Sequence, residues 1–270
     1  MVSIQLVPNH LQGVWKRLEI RRKRWDWKSH TDTDVLYIQT PFAFIDMRKV
    51  KNEDDTERDM AFAGYTSINT TIDKTHDPSS PMEVHWHAIF DIDHRIEDHN
   101  IADRWIVDWE DILMKGTKKS TTDIGIFTRV VNEESTWIEE DLKNTLKEVW
   151  QRTSDGDGKF MSLLKRDTKD VLLVICGHNF ALVDALTNHY SAGTVSVGEP
   201  KDTTSVSCSW IVTMAVAKVE SPCFRSDAVD SEGRLVLPGS NIDDYEVLPG
   251  STLKISEIPN ISFSNRDISN

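Results

Sequence analysis

The sequence predicts a mainly β protein of two consecutive antiparallel β-barrels with one amphipathic helix. The first half holds about seven short strand-like segments at regular spacing, a pattern typical of a sandwich or a barrel. The second half returns to similar segments, and one stretch near residues 136–151 has helical spacing instead. The expected domains are residues 1–118 and 119–270, with the helix in the second.

Alternating, β-branched and aromatic segments mark the strands of the first half. Residues 11–20 alternate between apolar and charged side chains over most of their length, which favours a strand. A charged turn and a polar break follow before β-branched and aromatic residues resume. The other strands of this half are expected at 35–40, 42–48, 61–68, 84–91 and 103–114, and a strand at 124–131 follows in the second half.

The helix is predicted from a capping pattern and a repeat. Thr136 is followed three residues later by Glu139, as in a capping box, and apolar residues then recur at helical spacing from Ile138 to Val149. Strands are expected again at 171–176, 180–186, 205–219, 233–237, 244–247 and 251–255, and the polar tail after Pro259 is expected to fray.

Segment 84–91 carries the first candidate functional residues. In an extended strand His85, His87, Ile89 and Asp91 share one face, and the other face is apolar. Three interpretations remain open for the histidines: solvated side chains on a wet face, acid–base or substrate contacts, and a metal site. The metal interpretation lacks a third histidine with suitable spacing, so no metal and no cofactor are expected.

Composition excludes several classes of partner. The net charge of −13 argues against a nucleic-acid partner, because phosphate binding needs a basic surface. No run approaches the roughly 18 apolar residues of a membrane span. The N-terminus shows no secretion signal, and the three cysteines have no paired spacing, so a cytoplasmic location with reduced thiols is expected. Cys176 lies in an apolar run, which predicts a buried, inert thiol.

A family resemblance starts at Gly13-Val14-Trp15, a Gly-x-Trp motif on the first predicted strand. With Arg17, residues 37–40, residues 45–48 and Trp86-His87, the chain resembles a calycin-like, two-barrel family of fungi and bacteria whose yeast member is known as a casein-kinase-interacting protein. The resemblance implies two β-barrel domains, a soluble protein, and a tryptophan that plugs one barrel end under a basic side chain. It implies no assigned chemistry.

The leading functional prediction is a barrel that binds a small, largely apolar molecule. Such pockets are mostly apolar with few convergent polar groups. Conversion of the molecule by cofactor-free acid–base chemistry, of lyase, isomerase or cyclase type, is left open. The candidate catalytic residues are His87, His85 and Asp91; the candidate ligand-binding residues are Gln39, Asp46, Arg48, Trp15 and Trp86.

Alternatives remain for the residues and for the function. Asp46 and Arg48, two positions apart on one strand, form either a same-face ion pair or a site in which Arg48 holds a ligand carboxylate or carbonyl. The protein is alternatively an interaction scaffold whose acidic surface recruits a basic partner, or a cupin-like metalloenzyme using His85 and His87. A filled barrel interior favours the scaffold, and a polar-lined cavity favours ligand chemistry. The sequence leaves ligand identity and oligomeric state open.

Overall fold

A computed structural model describes most of the chain, and its regular elements are almost all strands. The described residues are 6–26, 28–30, 34–51, 57–69, 82–92, 125–133, 136–141, 145–187, 189–197, 208–217 and 228–264. The mainly β prediction is confirmed. Within these residues the helical elements are 3₁₀ turns, and none has the length and apolarity that a membrane-spanning helix needs.

The first strands form one curled antiparallel sheet, called here the barrel sheet. Its strands are β1 (Gly13–Arg22), β2 (Ser29–His30), β3 (Asp34–Gln39), β4 (Ala43–Lys51), β5 (Glu57–Asn69), β6 (Met82–Asp91), β7 (Gly125–Glu133), β8 (Thr136–Asp141) and β9 (Leu146–Ser154). From β3 to β9 each strand pairs with the next, and β1 pairs with both β3 and β9. This last pairing joins the two ends of the sheet, which satisfies backbone groups that would otherwise lie on open edges.

A second, six-stranded antiparallel sheet follows. Its strands, in chain order, are β10 (Phe160–Lys165), β11 (Val171–Cys176), β12 (Asn179–Asp184), β13 (His189–Val197), β14 (Cys208–Ala217) and β16 (Tyr245–Val247). A separate parallel pair consists of β15 (Leu235–Pro238) and β17 (Ile261–Ser264). The second sheet runs from β14 to β16, and no described pairing joins these two strands into a second barrel.

The second sheet is buried on both faces. One face packs against the outside of the barrel sheet, where Leu172 lies in the same apolar cluster as Met47. The opposite face packs against the C-terminal segments, where Leu173 shares a cluster with Leu235. Every residue of β11 is buried, which explains why this strand reads as an unbroken apolar run in the sequence. Cys176 lies in it as a buried thiol, and burial raises its pKa to about 12, in agreement with the sequence prediction.

The prediction of a helix near residues 136–151 is wrong. The segment forms β8 and β9 instead, and β9 pairs with both β8 and β1. The apolar residues at helical spacing gave a weak local preference, which the hydrogen bonds of two neighbouring strands override. The barrel sheet also crosses the expected domain boundary, because β7, β8 and β9 all follow residue 118.

Other expected strands differ in detail. The segment 251–255 holds no strand and ends in a 3₁₀ turn at Ile255–Glu257, whereas the tail expected to fray forms β17. Strands β10 and β13 were not predicted from the sequence. The strand expected at 103–114 lies outside the described residues.

Candidate functional site inside the barrel sheet

An aromatic cluster defines the inner face of the barrel sheet. Trp15, Tyr37, Phe44, Trp86 and Trp150 come from five different strands and are buried in one cluster. Side chains from strands all round the sheet meet there, so this face is the interior of the barrel. The opposite, outer face is the one that packs against the second sheet.

The Trp15 side chain is fully buried at the end of the barrel interior where β1 begins. The Trp15 indole donates a hydrogen bond of 3.1 Å to the Leu11 carbonyl in the preceding 3₁₀ turn. The Arg152 guanidinium lies 5.5 Å from the centroid of the Trp15 ring, within cation–π range. Gly13 has φ +135°, and a side-chain carbon there would lie 2.4 Å from the Ser154 carbonyl oxygen. Only glycine therefore allows β1 and β9 to approach this closely beside Trp15.

A chain of hydrogen bonds connects the polar groups of the inner face. The Trp86 indole donates to the Tyr37 hydroxyl at 2.7 Å, and that hydroxyl donates to the Gln39 side-chain oxygen. Thr66 donates to the same oxygen at 2.9 Å, and the Gln39 amide nitrogen donates to the Thr40 carbonyl at 2.8 Å. Burial raises the pKa of Tyr37 well above its usual value. Each of these buried polar groups therefore has a protein partner.

Beside this chain lies a group of ionisable side chains, called here the charge cluster: Arg17, Asp46, Arg48, Glu139 and Glu148. Arg17 bonds to Glu148 at 2.6 Å, and Arg48 donates to the two Asp46 oxygens at 2.9 and 3.0 Å. The Nη1 atom of Arg48 lies 3.9 Å from the Oε1 atom of Glu148. Two cations therefore face two anions, which is the arrangement buried charges need.

Aromatic rings border the charge cluster. The guanidinium carbons of Arg17 and Arg48 lie 5.5 and 5.7 Å from the centroid of the Trp150 ring. The Arg48 carbon also lies 5.8 Å from the Phe62 ring centroid. These contacts place both cations against ring faces, where the ring quadrupole attracts them.

Glu139 differs from the rest of the charge cluster. The residue is 6% exposed, and among the described residues none donates a hydrogen bond to its carboxyl group. Burial raises its pKa well above the ordinary value, and the negative charge of Glu148 raises it further. The raised pKa favours the protonated form of this carboxyl, which can donate a hydrogen bond.

His87 lies on the outer face. Its ring stacks on Tyr65 with centroids 4.4 Å apart, and its Nε2 atom is 2.9 Å from the Ser67 hydroxyl oxygen. The residue is 8% exposed. Asp46 and Gln39 are on the inner face. His87 is therefore separated from the interior by the thickness of the sheet.

A β-bulge places His87 and Asp91 on opposite faces. Tyr65 pairs with His87, but the register between β5 and β6 shifts before Phe62 pairs with Asp91. Phe62 packs with the inner cluster, so Asp91 is on the inner side. The expectation that these two residues share a face is wrong, because the bulge inserts one extra residue into β6.

The structure brings together the five predicted ligand-binding residues and not the predicted catalytic ones. All five are on the inner face: Trp15, Gln39, Asp46, Arg48 and Trp86. The ion-pair interpretation of Asp46 and Arg48 is confirmed. The His85 side chain lies outside the described part of the structure. Within that part, no group of three or more His, Cys, Asp or Glu side chains is arranged to hold a metal.

Three inner residues were missed: Glu139, Glu148 and Trp150. All lie in the segment interpreted as a helix, where glutamates are expected on the solvent side. The signal that could have found two of them is the period of two over 146–150, which puts Glu148 and Trp150 on one face.

Comparisons with protein families, with curated proteins and with solved structures find no match to this chain.

Proposed function

We propose that the barrel interior binds one small, largely apolar molecule. The observation that carries this proposal is the combination, on one inner face, of aromatic side chains with a few polar groups, among them the Glu139 carboxyl beside charged neighbours that are paired. Ligand sites in barrels combine such apolar walls with few convergent polar groups. The surrounding aromatic rings supply apolar contact area for the rest of the ligand.

The closed end of the barrel supports a calycin-type architecture for this site. Trp15 of the Gly-x-Trp motif is fully buried beneath the Arg152 guanidinium. This is the arrangement that the sequence resemblance implies for a barrel end. We therefore propose that the barrel sheet is a calycin-like ligand barrel, with Trp15 and Arg152 sealing one end.

The enzyme form of the proposal assigns proton transfer to Glu139. A buried carboxyl whose pKa is raised is suited to general acid chemistry. Glu139 would give its proton to a ligand oxygen and take one back as the product forms, which needs no cofactor. His87 lies on the outer face, so the lyase, isomerase or cyclase step would depend on Glu139.

A second candidate function is a non-catalytic interaction scaffold. The observation in its favour is the hydrogen-bond chain from Trp86 through Tyr37 and Gln39, which satisfies inner polar groups without any ligand. The net charge of −13 would then serve to attract a basic protein partner.

The test is a titration with ketones, phenols, terpenoids and fatty acids, followed by tryptophan emission and melting temperature. Ligand binding should quench Trp86 and Trp150 and raise the melting temperature, since a ligand of the native state stabilises it. Trp86→Phe should weaken the quenching, whereas Trp210→Phe in the second sheet is the matched control and should keep it. A panel that changes neither signal would contradict the ligand barrel and favour the scaffold.

A further inference from the structure

We infer that a second cavity binds a small zwitterion with an apolar body, whose carboxylate meets Arg152 and whose ammonium group meets Asp155 and Asp157. This cavity has a volume of about 800 Å³ and lies where the N-terminal segment, the turn between β9 and β10, and the loop after β16 meet. The aromatic cluster of the barrel interior does not line it. The inference therefore does not depend on a ligand inside the barrel sheet.

Backbone contacts hold the walls of this cavity in place. The Val7 N–H donates to the Pro41 carbonyl at 2.8 Å, and the Thr252 N–H donates to the Phe160 carbonyl at 2.8 Å. Gly250 has φ +78°, and a side-chain carbon there would lie 2.4 Å from the Pro41 Cβ atom. Only glycine therefore allows the loop after β16 to lie against the turn between β3 and β4. The cavity is formed without a ligand, as small-molecule sites usually are, and its volume is in their usual range.

Arg152 supplies the positive charge of the cavity lining. Its guanidinium lies 5.5 Å from the centroid of the Trp15 ring, and the full burial of Trp15 gives it a fixed support. Arg17 and Arg48 in the barrel interior have carboxylate partners, but none of the described residues forms an ion pair or a hydrogen bond with the Arg152 guanidinium. A planar guanidinium with available donors binds a carboxylate through two parallel hydrogen bonds.

Two carboxylates of the turn after β9 supply the negative charge. Asp155 and Asp157 line the cavity and are exposed, and in the described part of the chain neither carboxylate forms an ion pair. Asp155 accepts a hydrogen bond of 3.0 Å from the Asp157 N–H, which fixes the turn. Burial and the positive charge of Arg152 lower the pKa of His10, so this lining imidazole favours its neutral form. One cation and two carboxylates therefore face a ligand, and they suit one that carries both an ammonium group and a carboxylate.

Apolar side chains form other parts of the lining, among them Leu6, Pro8 and Phe160. Phe160 belongs to the apolar cluster between the two sheets, and Leu6 packs against that cluster. Small-molecule sites combine such apolar walls with a few polar groups that fix the orientation of the ligand. The ligand therefore needs an apolar body beside its two charges, and a dipeptide of two leucines with free termini has all three features.

The experiment compares four forms of this dipeptide by isothermal titration calorimetry at neutral pH: both termini free, the N-acetyl form, the C-terminal amide, and the form with both blocks. We expect the free dipeptide to bind wild-type protein about tenfold more tightly than either singly blocked form, the usual effect of one charge-assisted hydrogen bond. The doubly blocked form should bind most weakly, because it keeps only the apolar body.

Variants identify which residue meets each end of the dipeptide. Arg152→Gln should lower the affinity for the free dipeptide about tenfold and remove its advantage over the amide. The double variant Asp155→Asn, Asp157→Asn should remove its advantage over the N-acetyl form. Lys159→Gln and Asp167→Asn are the matched controls, since both residues are exposed and lie outside the cavity lining. Neither control should change the affinity.

The inference is wrong if no form binds wild-type protein, or if the amide or the N-acetyl form binds as tightly as the free dipeptide. If Arg152→Gln does not fold, Arg152→Lys takes its place: it keeps the charge without the planar donors and should bind the free dipeptide more weakly than wild type. Trp86→Phe alters the barrel interior and should leave dipeptide affinity unchanged. A loss of affinity in Trp86→Phe would place the dipeptide inside the barrel sheet and overturn the inference.

Discussion

The two sheets of the molecule bury very different side chains. The second sheet packs apolar residues on both faces, and every residue of β11 is buried. The barrel sheet is apolar outside but carries the charge cluster inside. Buried ion pairs add little stability compared with well-packed apolar side chains. The charges of the barrel interior are therefore not needed for folding in the way that the apolar residues of the second sheet are, and we propose a role for them in ligand recognition.

Removing one member of the charge cluster should have the largest effect. Arg17→Met leaves Glu148 buried with only the more distant Arg48 cation, which should cost about 3–5 kcal/mol of unfolding free energy. Urea unfolding measures this loss. The double variant Arg17→Met, Glu148→Leu makes the interior resemble the second sheet and should regain most of the loss. A single variant as stable as wild type would show that the pair is not desolvated.

The pH dependence of stability should change at Glu139. Its folded pKa is raised, so folding favours the protonated form, and stability falls as pH rises above the ordinary glutamate value of about 4.3. Glu139→Gln removes this dependence, by up to about 1.4 kcal/mol per pH unit between the unfolded and folded pKa values. Thermal unfolding over that range measures it. Identical pH profiles for both proteins would mean that Glu139 is ionised in the folded state.

The two faces of β6 should respond differently to substitution. His87→Gln removes the stacking on Tyr65 and alters the bond to Ser67, and we expect a stability loss of about 1 kcal/mol with unchanged probe affinity. Trp86→Phe, one residue away on the inner face, should weaken probe binding. If His87→Gln lowers probe affinity and Trp86→Phe does not, the ligand site lies on the outer face instead.

Metal removal should have the smallest effect, namely none. The purified protein is predicted to contain no stoichiometric iron, zinc or manganese, and chelation should leave probe binding unchanged. Elemental analysis checks the content. About one metal equivalent per chain, lost together with binding on chelation, would favour the cupin-like alternative with His85 and His87.

The sequence predicts which residues form the barrel strands better than it predicts which side chains lie on the inner face. Period-two alternation correctly placed Val84 and Trp86 on one shared face, because alternation follows from strand geometry alone, but the sequence did not show that this face is the inner one. The bulge that moves Asp91 to the inner side depends on pairing with β5, and no local pattern shows it. Glu139 was missed for a similar reason, since its segment has a helical repeat that only tertiary pairing overrides. Residues whose orientation depends on a neighbouring strand were the ones predicted wrongly.

We propose that Glu139 is a protonated carboxyl that meets a ligand inside the barrel. Carbon NMR of protein labelled at glutamate side-chain carboxyls tests this directly, with the resonance assigned by its loss in Glu139→Gln. We expect a protonated signal at neutral pH that shifts when a ketone that binds the protein is added. A Glu139 signal that is ionised at neutral pH, or that the ketone leaves unmoved, would contradict the proposal.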